Sequence, residues 1–157
     1  MKKYFIMADT HSFYSIMLNT LNINGFDVNN NEHCLIVCGD LFDRGDESKQ
    51  IFDFVKSLGD RFIYIKGNHE DLLFECIQQI VSGEFISDHH FSNGTVKTIA
   101  DLCDVDYRNL MLPRISDSIK QQIYDNIRPT LDLIQEKSIN YFETSKYVFV
   151  HGWIPCY

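Results

Sequence analysis

Cys34-Leu35-Ile36-Val37-Cys38-Gly39-Asp40-Leu41-Phe42-Asp43-Arg44-Gly45, residues 34–45, carries an apolar run straight into a cluster of glycines and charges. The run has the length and branched composition of a strand buried on both faces, as in a parallel sheet. The same arrangement lies on either side of it. Tyr4 to Ala8 runs into Asp9-Thr10-His11, and Arg61 to Ile65 runs into Gly67-Asn68-His69-Glu70. Between these strands, Phe13, Ile16, Met17 and Leu21, then Ile51, Phe54, Val55 and Leu58, recur at helical spacing, and Gly25 and Gly59 stand where helices stop. A third helix is predicted through Leu72, Leu73, Cys76, Ile77, Ile80 and Val81, with Gly83 after it. Together these segments predict an α/β fold built on a βαβαβα layer.

In an open parallel sheet, residues just past the carboxyl ends of the strands meet in one crevice. The three polar clusters should therefore converge, joined by His151-Gly152 after the apolar run Tyr147 to Val150. Carboxylate, amide oxygen and imidazole without thiolate suit a divalent manganese, iron or zinc ion. If Asp40 bridges two such ions, Asp9 and His11 complete one side while Asn68 and His151 serve the other, with the ions about 3.5–4 Å apart. The pair would leave net positive charge for a phosphate and acidify a bridging water to a hydroxide nucleophile. Arg44 offers a planar fork of donors that matches phosphate oxygens. Asp43 can orient His69 to pass a proton to a leaving alcohol. The competing reading of Arg44 is a surface ion pair with Asp43 or Asp46, and Glu70 reads as a structural carboxylate at a helix start or tethering a loop.

The strings GDLFDRG (residues 39–45) and GNHE (67–70), with Asp9-Thr10-His11, resemble the signatures of the calcineurin-like metallophosphoesterase superfamily. The resemblance is to its phosphoprotein-phosphatase-like branch, which includes bacterial and phage serine/threonine phosphatases and diadenosine tetraphosphatases. Ser92-Asn93-Gly94-Thr95 and the stretch Tyr147 to Gly152 are also similar to segments of that branch. The resemblance implies a layered fold, a mixed β-sandwich flanked by helices. It also implies two divalent metal ions, manganese foremost, held by Asp9, His11, Asp40, Asn68 and His151, with Arg44 on the phosphate and Asp43 with His69 as the proton-donor pair. Family members continue beyond this histidine, so residues 1–157 are expected to be one domain lacking its C-terminal strands and a further metal-binding histidine. Trp153 stands where a smaller residue is common, which would narrow the mouth of the site. An open sheet edge beside Tyr147 to Val150 would invite self-association.

The 157 residues suit one domain, and 45% hydrophobic content fills a core. A formal charge of −8 argues against a nucleic-acid partner, though a bound cation could still recruit a phosphate. The sequence has no apolar run near the roughly 20 residues of a membrane span and no signal-peptide pattern, so a cytoplasmic protein without a membrane partner is expected. Cys34, Cys38, Cys76, Cys103 and Cys156 form no CxxC pair, and the first four read as buried thiols. His33, His89 and His90 read as solvated loop histidines. Thr95 is a candidate cap for a helix through Cys103, and Ser116 for one facing inward with Ile119, Ile123 and Ile127, which Pro129 would kink or restart. Two strands, Ser138 to Glu143 and Lys146 to Val150, close the chain's readable pattern.

The expected activity is hydrolysis of phosphate monoesters, with phosphoserine or phosphothreonine in proteins as substrate. Two alternatives stand beside it: a dinucleoside polyphosphate hydrolase, and a catalytically weak module that binds phosphate or a partner.

Overall fold

The computed structural model describes residues 2–152. Strands β1 (Lys3–Ala8), β2 (His33–Cys38) and β3 (Phe62–Ile65) pair in parallel in that order, and β4 (Ser138–Ile139) continues the sheet on β3. Helices α1 (Tyr14–Ile23) and α2 (Ser48–Leu58) are the crossovers between the first three strands, and a single 3₁₀ turn, Gly59–Arg61, leads into β3. The long crossover from β3 to β4 holds α3 (Asn68–Ser82), α4 (Asp88–Asn93), α5 (Thr95–Cys103), α6 (Tyr107–Leu110) and α7 (Asp117–Lys137). The expected layered α/β architecture is thus present, with its first strands and helices where their periodicity placed them.

The pleat of the sheet separates two apolar layers. Phe5, Leu35, Val37, Phe62 and Tyr64 join the main core with residues from α1, α2, α3, α5 and α7. From α7 come Ile123, Ile127 and Ile134, a stripe at helical spacing. On the other face Ile36, Cys38 and Ile65 pack with Tyr4, Ile63, Phe142 and Phe149. The last two belong to an antiparallel hairpin of β5 (Tyr141–Glu143) and β6 (Val148–Val150). Helices, parallel sheet and hairpin therefore form three layers, and the hairpin carries His151 over the ends of the central strands.

Local expectations meet mixed outcomes. Ser116 caps α7 by accepting from Ile119 N–H, and Pro129 sits inside that helix without ending it. Residues 138–143 do not form one strand, because the chain leaves the main sheet after Ile139 and enters the hairpin at Tyr141. The expected loop at His89 and His90 is instead helix α4, with His90 fully buried. His33 is half-buried in β2, its ring against Phe5 and Phe26. Cys34, Cys38, Cys76 and Cys103 are free buried thiols, and burial pushes Cys76 and Cys103 up to about 12. Trp153 and Cys156 lie outside the described residues. Among the described residues no helix is long and apolar enough to cross a membrane.

Candidate metal centre

The candidate side chains sit on segments that follow strands, Asn68 and His69 in the first turn of α3, and the first two of these segments are held in strained backbone. Asp9, His11, Ser12, Asp40, Asp43 and Arg44 all have positive φ, between 45° and 74°. Such non-glycine conformations persist only where the surroundings fix them. Here His11 N–H donates to Asp40 C=O at 3.0 Å, Ser12 N–H to Leu41 C=O at 3.0 Å, and Gly45 N–H to His11 C=O at 2.8 Å. The first two strand-end turns are thereby laced together.

Asp40 is the hub. It is 4% exposed, and its Oδ1 accepts from His69 N–H at 3.1 Å, in the first turn of α3, where the helix dipole favours a negative group. Glu70, also buried, ties two loop segments into place through three backbone donors. Its carboxylate accepts from Gly67 N–H at 2.6 Å, Leu41 N–H at 3.0 Å and Asp40 N–H at 3.3 Å. The tethering role read from the sequence matches this geometry. Gly67 permits the close approach, since a Cβ there would stand 2.2 Å from Asp40 Oδ1. Gly39 does the same for His151, whose ring atoms Nδ1 and Cγ would lie 2.2 and 2.3 Å from an added Cβ.

Around Asp40 the lone pairs converge. His11 Nδ1 donates to Phe42 C=O at 3.0 Å, which turns Nε2 toward Asp40 Oδ2, 3.7 Å away. His151 repeats the arrangement: Nδ1 donates to Cys38 C=O at 3.0 Å, and Nε2 faces Asp40 Oδ1 at 3.5 Å and Asn68 Oδ1 at 3.3 Å. A histidine that gives one N–H to a carbonyl and turns its other nitrogen toward carboxylates is oriented as a metal ligand. Acceptors facing acceptors repel unless a cation lies between them. Two sets of potential ligands that contain Asp40 offer one atom per residue within 4.8 Å of one another: His11, Asp40 and His69, and Asp9, Asp40 and His151. Asp40 belongs to both, and the donor set fits divalent cations on either side of it. The geometry groups Asp9 with His151, whereas the sequence reading paired it with His11.

His69 and Asp43 form a buried pair, Nδ1 to Oδ2 at 2.8 Å. Thr95 Oγ1 donates to the same oxygen at 2.7 Å, and Asp43 N–H donates to Thr98 Oγ1 at 3.0 Å. These two threonines were not read as site residues. Thr95 was expected to cap α5, a position that Gly94 takes instead. A hydroxyl just after Asn93-Gly94 was the available signal. Arg44 stands apart from the cluster, exposed, with its N–H on Asn93 C=O at 3.2 Å. The ion-pair alternative fails, because Asp46 pairs with Lys97 and Asp43 with His69, leaving the guanidinium without a side-chain partner among the described residues.

A layered α/β fold that gathers carboxylates, imidazoles and an amide at its strand ends defines a protein built to hold divalent cations. The sequence model of calcineurin-like phosphoesterases matches residues 2–157, and the chain belongs to that family. It is also similar to two curated proteins named symmetrical bis(5'-nucleosyl)-tetraphosphatase. With that of Buchnera aphidicola subsp. Baizongia pistaciae it shares 37% identity over 70 residues, 45% of this chain and 24% of the relative. With that of Proteus mirabilis it shares 36% over 66 residues, 42% of this chain and 23% of the relative. The matched stretch thus spans about a quarter of each relative's length.

Proposed function

We propose that residues 1–157 form one catalytic domain that hydrolyses phosphate monoesters, with phosphoserine and phosphothreonine in proteins as the leading substrates. The observation that supports this most is the convergence of His151 Nε2 on Asp40 Oδ1 at 3.5 Å and Asn68 Oδ1 at 3.3 Å. That convergence of a carboxylate, an amide oxygen and an imidazole nitrogen suits a divalent cation. Asp9, His11, Asp40, Asn68 and His151 would hold two divalent ions, manganese first, with iron or zinc as alternatives. When bound, such a pair supplies positive charge for a phosphate and an acidified water as nucleophile.

The chain's own groups do the rest. Arg44, exposed and without a side-chain partner among the described residues, would bind phosphate oxygens through its fork of N–H donors. His69 Nδ1–H is held on Asp43 Oδ2, and in its imidazolium form the ring would pass the Nε2 proton to the leaving oxygen rather than ligate an ion. Asp43 is held in turn by Thr95, which stops the pair from rotating away.

A second reading is hydrolysis of dinucleoside polyphosphates, favoured by the name of the two relatives. The test is release of nitrophenol from its phosphate ester by pure protein with manganese, before and after a chelator. Chelator-sensitive turnover is expected, and its absence would leave a phosphate-binding module. Faster turnover of a phosphopeptide than of diadenosine tetraphosphate supports the monoester reading, and the reverse order supports the second.

A further inference from the structure

Away from the Asp40 centre, α3 and α4 bring together three side chains that the reaction does not use. The rings of His89 and His90 lie side by side, centroids 4.0 Å apart. Glu75, on α3, faces both: Oε2 is 3.8 Å from His89 Nε2, and Oε1 is 3.8 Å from His90 Nε2. These separations are too long for hydrogen bonds. One ligand atom from each residue can be chosen so that all lie within 4.8 Å of one another. The decisive member is His90. Its side chain is 0% exposed, and neither ring nitrogen has a hydrogen-bond partner among the described residues. Buried imidazole nitrogens are rarely left so. Gln79 Nε2, at 3.4 Å from Glu75 Oε1, makes a weak further contact and leaves the histidines unserved.

We propose that Glu75, His89 and His90 form a separate cation site that takes one zinc-class transition-metal ion and staples α4 onto α3. Two imidazoles and a carboxylate without thiolate are the donors such an ion selects, and a water completes a tetrahedron. Donors bound to zinc stand about 3.3 Å apart at ordinary bond lengths. The present spacing therefore closes by small rotations of Glu75 and His89, whose side chains are 50% and 44% exposed, around a fixed His90. Burial lowers His90 from its usual range, helped by His89 and opposed by Glu75 and Asp43, so its lone pair is present at neutral pH. Occupancy also bears on the neighbouring site, because α4 ends at Asn93, whose carbonyl holds Arg44 N–H at 3.2 Å.

The experiment uses the full chain, with imidazole ¹⁵N resonances followed during zinc titration. The His89 and His90 signals are expected to shift and saturate together. If they stay unmoved while zinc binds elsewhere, the proposal is overturned. Calorimetry then compares Asp40→Asn with Asp40→Asn/His89→Ala and Asp40→Asn/Glu75→Gln. Each exposed change should weaken one zinc equivalent by at least about tenfold, as loss of a direct ligand exceeds the effect of a supporting residue. Equal zinc affinity and stoichiometry in all three proteins would refute it. Circular dichroism of each variant confirms that the comparison is between folded proteins.

Discussion

Replacing Glu70 by alanine tests how the centre is held together. The carboxylate is 1% exposed and receives two short backbone N–H bonds, from Gly67 at 2.6 Å and Leu41 at 3.0 Å, with a longer one from Asp40 at 3.3 Å. Hydrogen bonds to a charged group contribute about 1.5–3 kcal/mol each, and donors left buried without a partner carry a further penalty. Against this stands the cost of keeping a carboxylate out of water, which alanine relieves. The balance favours a loss of about 3 kcal/mol, which in a chain of this size lowers the melting temperature by about 6–12 °C. Because two of the three bonds fix Asp40 and Leu41, manganese affinity should fall as well. Thermal unfolding by circular dichroism and titration of bound manganese by electron paramagnetic resonance measure the two effects separately. A Glu70→Ala protein that melts within about 2 °C of its parent and binds manganese equally well would refute the tether. Glu70→Gln should also be destabilised, since its amide nitrogen must face a backbone donor.

Gly67→Ala places a Cβ 2.2 Å from Asp40 Oδ1 and 2.6 Å from Asp40 N, so it should cost at least about 1–3 kcal/mol and weaken manganese binding, read by denaturant melts and metal titration. Arg44→Lys alters an exposed side chain, so the melting temperature should stay put while KM for a phosphate monoester rises; an unchanged KM would remove Arg44 from the phosphate site. His90 is buried with its affinity for a proton lowered from 6.5, mainly by burial, so the unfolded chain protonates first and stability falls as pH drops below 6.5. In metal-free buffer, His90→Gln should flatten that acid slope by at most about 1.4 kcal/mol per pH unit, measured as denaturant midpoints across the range.

The strands and crossovers of the first half could be read because each is decided locally, by an apolar run and its flanking turn. The centre was legible for the same reason: Asp9, His11, Asp40 and Asn68 follow strands directly, and parallel strands share an end. What escaped depends on contacts between distant segments. Asp88–Asn93 is a short helix of weak helix formers, kept in place where Asn93 C=O meets Arg44 N–H. The break between Ile139 and Tyr141 depends on which sheet each half can pair with, and no local pattern records that. Thr95 gives its hydroxyl to Asp43, 52 positions away in sequence, and a cap and such a bond look alike in a linear reading. His90 was hidden by its residue type, since burial of a histidine depends on neighbours that only the fold supplies.

The facing acceptors of His151, Asn68 and Asp40 have an outcome for the living molecule as well as for its chemistry. An ion that settles among them binds the folded chain and has little to grip once it unravels, so free cation concentration tilts the equilibrium toward the native form. With such an ion bound, the melting temperature should climb as its free concentration is raised.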